Sequence, residues 1–308
     1  MESQLIAELR TMVRGRVAAG EPMAKHTSFR LGGPVEIYVC PRHEEEFVRV
    51  VRFARERGIP HFILGLGSNL LVGDGGLEGM VISTGGLRGE QWGDGAVRLG
   101  AGVALGAAAN RAVARGLAGL EFAANIPGTA GGGLMMNAGA HGGELKDVLT
   151  WARVLLPGGM VEKVAPDRLE LAYRRSGIKR RGWIVLEAEF SLAPAVRTQL
   201  QAQLETLRGR RRQTQPDGRT AGSVFKNPTG MAAGRLIESV GGKGLTVGKA
   251  EVSSLHANFI VAHEGARAED VLRLMETVRK LVWEKTGVAL EPEVEFWGAR
   301  GETSRLAE

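Results

Sequence analysis

Ile126-Pro127-Gly128-Thr129-Ala130-Gly131-Gly132-Gly133, followed by Met136-Asn137-Ala138-Gly139-Ala140 and Gly142-Gly143, is the stretch on which the reading of this sequence turns. Glycine has no Cβ, so the run leaves backbone exposed over an unusual length, where it could lie against a pyrophosphate or a planar ring. A helix starting near Ala130 would point its first N–H groups at an anion. The competing reading is a flexible linker. Ile126, Leu134, Met135 and Met136 weaken it, because linkers are poor in apolar residues.

Upstream, the short apolar strand His61 to Leu64 runs into Gly65-Leu66-Gly67-Ser68-Asn69. Turn N–H groups and the Ser68 hydroxyl are the parts of a phosphate nest, although a plain glycine turn between two strands reads as well. Conventional nucleotide motifs fail. In Gly100-Ala101-Gly102-Val103-Ala104-Leu105-Gly106, Leu105 stands where the third glycine of G-x-G-x-x-G belongs. Gly248-Lys249 is followed by Ala250 and has Lys243 where a Walker A loop starts with glycine.

The chain has 308 residues, 44% of them hydrophobic and 24% charged, enough for two or three domains. Its 45 glycines cluster rather than spread. With 40 Lys and Arg against 34 Asp and Glu, the net charge of +6 suits nucleic acid, anionic lipid or a phosphorylated small molecule, and does not choose among them. Cys40 is the single cysteine, so no internal disulfide forms and a reducing cytoplasm is expected. Leu5, Ile6, Leu9, Met12 and Val13 recur at helical spacing but are interrupted by Glu8 and Arg10, which is no signal-peptide core. No stretch is apolar and long enough to span a bilayer, and a soluble intracellular protein is expected.

Periodicity predicts a helix from Glu44 to Gly58 with Phe47, Val50, Val51 and Ala54 on one face, and strands around Met80–Ile82 and over Ala96–Gly100. An Ala-rich helix ends at Gly116. Beyond Leu149 the pattern is mainly β, with Val154–Leu156 and Met160-Val161 about a turn and a strand from Trp183 to Leu192. A basic helix from about Ala195 to Arg212 leads to the linker-like 213–218, the best internal boundary. A helix near Met231–Val240, a strand over Asn258–Val261, a helix from Glu269 to Lys285 and a strand from Val288 to Trp297 complete the chain. The run Arg208 to Arg212 reads as a solvated helix end, as a nucleic-acid patch or as a diphosphate contact. No His, Cys or carboxylate cluster has metal-ligand spacing. Taken singly, Arg174, Ser223 and Glu293 read as a surface charge or a turn serine.

Seven motifs in order are similar to the UDP-N-acetylenolpyruvoylglucosamine reductase (MurB) family. They are Lys25 to Gly33, Gly65 to Leu71, Ile126 to Ala140, Tyr173-Arg174-Arg175-Ser176, Ala221 to Pro228, His256 to Val261, and Leu290 to Val294. The resemblance implies an α+β fold: an FAD-binding module of the vanillyl-alcohol-oxidase (PCMH) type in two subdomains, plus an α/β substrate-binding domain. The divisions expected are 1–85 with 288–308, 86–212, and 213–287. It implies non-covalent FAD held by Arg30, Gly65, Gly67, Ser68, Asn69, Leu70, Gly128, Thr129, Gly131, Asn137 and Ala138, with NADPH as co-substrate. The catalytic positions matched are Arg174, Ser223 and Glu293. Tyr173, Lys226, Asn227 and His256 match positions for the UDP-sugar, UDP-N-acetylglucosamine enolpyruvate. No nucleic acid, membrane or obligate protein partner is expected. Arg174 is followed within a few residues by the strand from Trp183, so the chain resembles the shorter form of the family, without an inserted tyrosine loop. The rivals are a flavin-dependent oxidase of a small alcohol and a basic, non-enzymatic nucleotide- or nucleic-acid-binding protein.

Overall fold

The structure, a computed structural model, describes residues 2–298. Of the expected terminal segment 288–308, residues 299–308 lie outside the described residues. The chain divides into two compact units, one of 1–19, 37–66 and 79–210, the other of 20–36, 67–78 and 211 onward.

In the first unit, the helix Glu44–Glu56 begins with Glu44, Glu45 and Glu46 and carries Arg55 in its last turn, charges that suit the two ends of the helix dipole. The expected face is buried: Phe47, Val50, Val51 and Ala54 have no exposed surface. They join a core reaching from Ile6 to Leu192. The strand His61–Leu64 pairs in parallel with residues 80–83 of the strand Leu77–Ser83. A five-stranded antiparallel sheet runs Val161–Val164, Leu149–Leu155, Ile184–Ser191, Ala96–Gly100, Glu90–Gly93. The helices Leu105–Ala114 and Arg197–Thr214 match the two expected, and Val113 packs with Leu200 and Leu204.

Glu46, only 5% exposed in the first unit, accepts the Arg42 N–H at 2.9 Å and the Arg14 N–H at 3.2 Å. Burial pushes its carboxyl up, but these two hydrogen bonds, with the nearby His43 and Arg14, outweigh burial and hold it below the usual carboxylate range. A depressed folded value stabilises the fold above the unfolded value of 4.5, and that stability is lost as pH falls through the depressed one. Glu46→Gln is therefore expected to cost about 1–3 kcal/mol at pH 7. Denaturant melts of the two proteins should converge in acid.

In the second unit, Thr246–Val247, Ala250–Val252 and Ile260–Ala262 form an antiparallel sheet, and Leu70–Val72 pairs in parallel with Glu295–Trp297. The helix Ala268–Thr286 buries Val271, Leu274, Met275, Val278 and Val282. Its first N–H groups, of Ala268 and Glu269, donate to the Asp74 carboxylate at 2.9 and 3.1 Å. Gly287, at φ +69°, closes it. The expected strand 288–297 shrinks to its last three residues. Pro292 has no N–H to give a ladder, and it forms a single antiparallel bridge with Phe225 instead. At the other boundary the helix Arg197–Thr214 runs two residues into the linker-like stretch.

Candidate active site

The glycine loop is pinned from both ends. Gly67 holds φ +60°, and a Cβ there would stand 1.9 Å from the His26 carbonyl oxygen. The Ser28 N–H donates to the Gly67 oxygen at 3.0 Å, and the Thr27 hydroxyl donates to the Leu31 oxygen at 2.8 Å. The motif Lys25 to Gly33 thus serves as the bed of this loop, with Arg30 exposed at a left-handed φ of +54°. At the loop's start, Gly65 lies so close to Thr129 that a Cβ would meet its Oγ1 at 2.9 Å. Among the described residues, the N–H groups of Leu66, Gly67 and Ser68 and those of Gly128 and Thr129 donate no hydrogen bond. Glycine-permitted turns with several unspent N–H groups are what a diphosphate needs, so these residues fit FAD.

The helix near Ala130 does form, as Ala130–Met135, but it does not offer its N-terminus to an anion as expected. The Ala130 N–H donates to Val103 O at 2.8 Å, the Gly131 N–H to Ala101 O at 3.0 Å and the Gly132 N–H to the Thr129 hydroxyl at 3.2 Å. Gly131 is needed for packing, since a Cβ would stand 2.9 Å from that of Ala101. Ala138 likewise spends its N–H on Gly133 O and its oxygen on the Leu145 N–H. Asn69 looks elsewhere. Its amide donates to the Glu293 oxygen at 2.9 Å, and its own oxygen accepts the Glu295 N–H at 3.0 Å, just before the strand that starts at Leu70.

Tyr173 and Arg174 form the tip of a two-residue hairpin closed by Ala172 and Arg175. Tyr173 is exposed and the Arg174 guanidinium lies 5.1 Å from its ring centre. Arg174 belongs to the first unit; Ser223 and Glu293 belong to the second.

Within the second unit the structure brings Ser223 and Glu293 onto neighbouring segments, the Glu293 N–H donating to Val224 O at 2.8 Å. Ser223, Asn227 and His256 line one cavity of about 300 Å³, together with Arg235, Glu238 and Leu255. The Asn227 side-chain oxygen accepts the Ala233 N–H at 3.0 Å, capping the helix Ala233–Ser239. Lys226 pairs with Glu291. His256 accepts the Asn258 N–H at Nδ1, 3.2 Å away, so a neutral ring carries its proton on Nε2. Burial, assisted by the charge of Lys243, pushes its pKa below the usual 6.5 and keeps the ring neutral at pH 7. Gly234 allows the close approach, since a Cβ there would meet the imidazole Cε1 at 3.2 Å.

Asn258 stands in the motif His256 to Val261, where nothing local in the sequence marks its role. It is 3% exposed, and its carboxamide accepts the Phe225 N–H at 3.0 Å and donates to the Phe225 oxygen at 2.8 Å. Its backbone oxygen accepts the Val224 N–H at 2.9 Å. These three bonds hold the chain between Ser223 and Lys226 as a ladder partner would.

Comparison with known proteins agrees with this geometry. Residues 35–165 match the FAD-binding domain family, and residues 214–297 match the C-terminal domain of UDP-N-acetylenolpyruvoylglucosamine reductase. The architecture and cradle thus define an FAD-dependent oxidoreductase of α+β fold. UDP-N-acetylenolpyruvoylglucosamine reductase 2 of Symbiobacterium thermophilum is 46% identical, over 96% of this chain and 97% of its own. The reductase of Syntrophotalea carbinolica is 45% identical, over 96% and 98%. The crystal structure of MurB from Thermus caldophilus superposes with a TM-score of 0.79 at 34% identity, covering 92% of this chain and 99% of that one. The chain belongs to the UDP-N-acetylenolpyruvoylglucosamine reductase family.

Proposed function

We propose that this protein reduces UDP-N-acetylglucosamine enolpyruvate to UDP-N-acetylmuramate with NADPH, in the cytoplasm, as a step of peptidoglycan precursor synthesis that serves cell shape and division. The observation that carries the reading is the placement of Ser223 on a cavity shared with Asn227 and His256, beside the segment of Glu293, in a chain that matches its relatives over nearly full length. Bound FAD supplies the relay of hydride from NADPH to the enolpyruvyl double bond. Leu66, Gly67, Ser68, Gly128 and Thr129 would hold its diphosphate through backbone N–H groups. Gly65 and Gly131 act by permitting close packing, and Arg30, Asn69, Leu70 and Ala138 by shaping the surrounding loops, while the Asn137 carboxamide is spent on Glu144, Ala172 and the Lys146 N–H.

Hydride addition to the terminal carbon leaves negative charge that spreads from the adjacent carbon into the carboxylate. Arg174 stabilises it as a cation and Glu293 as a hydrogen-bonding acid. The Ser223 hydroxyl then gives its proton to the carbon; an enolate of comparable basicity makes so weak an acid competent. Tyr173, Lys226, Asn227 and His256 bind the UDP-sugar. We assign residues 213–287 to substrate, and 1–85 with 288–308, and 86–212, to the cofactor.

The test is the absorbance spectrum of the purified protein before and after NADPH, followed by the rate of NADPH oxidation with and without the enolpyruvyl sugar. A flavin band bleached by NADPH and turnover that depends on the sugar are expected. A colourless protein, or oxidation indifferent to the sugar, defeats the reading. For Lys226→Ala, loss of one charge-assisted hydrogen bond, about 1.5–3 kcal/mol, should weaken UDP-sugar binding roughly 10–100-fold. Titration calorimetry on the flavin-loaded protein measures it.

A further inference from the structure

Among the described residues, Arg30, Asn137, His141, Glu170 and Arg174 are the non-glycine residues that hold a left-handed backbone. Such conformations persist where the surroundings over-determine them. Two of the five, Asn137 and Arg174, belong to a single network. Asn137 has no exposed surface. Its amide nitrogen donates to Glu144 Oε2 at 2.8 Å and to Ala172 O at 3.2 Å, while its side-chain oxygen accepts the Lys146 N–H at 3.0 Å. Both amide hydrogens are thereby spent, and the side chain has no donor left for a cofactor.

The two acceptors lie on different hairpins. Glu144 is on the small hairpin of Gly139-Ala140 with Gly143-Glu144, where it is the register partner of Gly139. Ala172 closes the hairpin that carries Arg174. Arg174 reaches back the other way, its Nη2 donating to Gly139 O at 2.9 Å. Glu144 provides a fixed countercharge. Hydrogen bonding from Lys146 holds its carboxyl below the usual range; burial opposes this, and Asn137 and the charges of Lys146 and Arg174 add to the lowering.

We infer that Asn137 is a positioning residue for Arg174: its carboxamide locks the hairpin 172–175 onto the hairpin 139–144 and so sets the direction of the guanidinium. The consequence for catalysis rests on the proposed function, in which that guanidinium meets the charge developing on the enolpyruvyl group. Displacement by as little as 1 Å costs on the order of 10²-fold in rate.

Asn137→Gly tests this, because glycine keeps the left-handed backbone while the amide is lost. Flavin occupancy and bleaching by NADPH should match wild type, and return of the flavin band on adding the enolpyruvyl sugar should slow about 10–100-fold. In an Arg174→Ala background the same change should add nothing, which a merely structural role would not produce. Asn137→Asp, which keeps the size but sets an acceptor against Glu144, should resemble Asn137→Gly and serves if the glycine variant folds poorly. A readout free of activity is the side-chain Nε–H resonance of Arg174 by NMR, assigned by its loss in Arg174→Ala. It should shift or broaden in Asn137→Gly while other arginine resonances stay. An additive loss in the double variant, a fall in flavin occupancy, or an unchanged Arg174 resonance overturns the inference. Should the wild-type protein fail to turn over the enolpyruvyl sugar, the functional reading falls, and the resonance still decides whether Asn137 orients Arg174.

Discussion

Replacing Ser223 with alanine is expected to leave bleaching of the flavin band by NADPH near its wild-type rate while slowing its return with the enolpyruvyl sugar by on the order of 10²–10⁴-fold. The asymmetry follows from when a proton is needed: only after the double bond has taken up hydride. Alanine removes the hydroxyl without loosening the site, because the neighbouring backbone is held by bonds that do not involve that hydroxyl. Val224 and Phe225 are tied to Asn258, and Val224 O accepts the Glu293 N–H. Cysteine at 223 is the finer probe, since a thiol can still donate, and should recover part of the rate lost in alanine. Anaerobic stopped-flow absorbance resolves the two half-reactions. Equal slowing of both would make Ser223 a binding residue, and a wild-type second step would remove it from the mechanism.

Gly67→Val is expected to abolish flavin retention. Valine at φ +60° is strained by its β-branch, and its Cβ would have to share space with the His26 carbonyl, 1.9 Å away. That oxygen is backbone and cannot swing aside, so the loop itself must move, and the N–H groups of Leu66, Gly67 and Ser68 move with it. The purified variant should be colourless, with less than roughly a tenth of wild-type FAD, because misaligning several charge-assisted hydrogen bonds costs more than ~1.4 kcal/mol. Gly75→Ala is the control, since a Cβ there meets nothing within 4 Å. Circular dichroism separates cofactor loss from unfolding. A yellow Gly67→Val protein of normal FAD content would remove this loop from the cofactor site.

What was legible in the sequence was what local chemistry decides. The helix Glu44–Glu56 declares itself by its apolar stripe, its acidic start and Gly58 beyond its end. The loop at Gly65–Asn69 declares itself through glycines placed straight after a strand. The apparent anion site at Ala130 misled, because its N–H groups are consumed by the carbonyls of Ala101 and Val103, nearly thirty residues upstream by sequence. The bland pattern around Tyr173-Arg174 hides a hairpin that Asn137 braces from 35 residues away. Asn258 was invisible for the same reason. Its value lies in matching the backbone of Phe225, 33 residues earlier, and an asparagine near a turn carries no mark of that. The strand expected over 288–297 was overdrawn because Pro292, with no N–H for a ladder, makes only a single bridge with Phe225.

The bond from Asn69 to Glu293 joins residues 224 positions apart. A ribosome adds about 5–20 residues per second, so the loop that begins at Gly65 leaves it roughly 10–45 s before its partner strand exists. During that interval Leu70–Val72 presents an unpaired, wholly buried-type strand edge, Leu70, Leu71 and Val72 being at most 4% exposed once folded. The nascent chain thus carries a sticky segment whose shelter is made long after it, and its yield in the cell should depend on how fast the intervening message is read and on chaperones that cover apolar edges meanwhile.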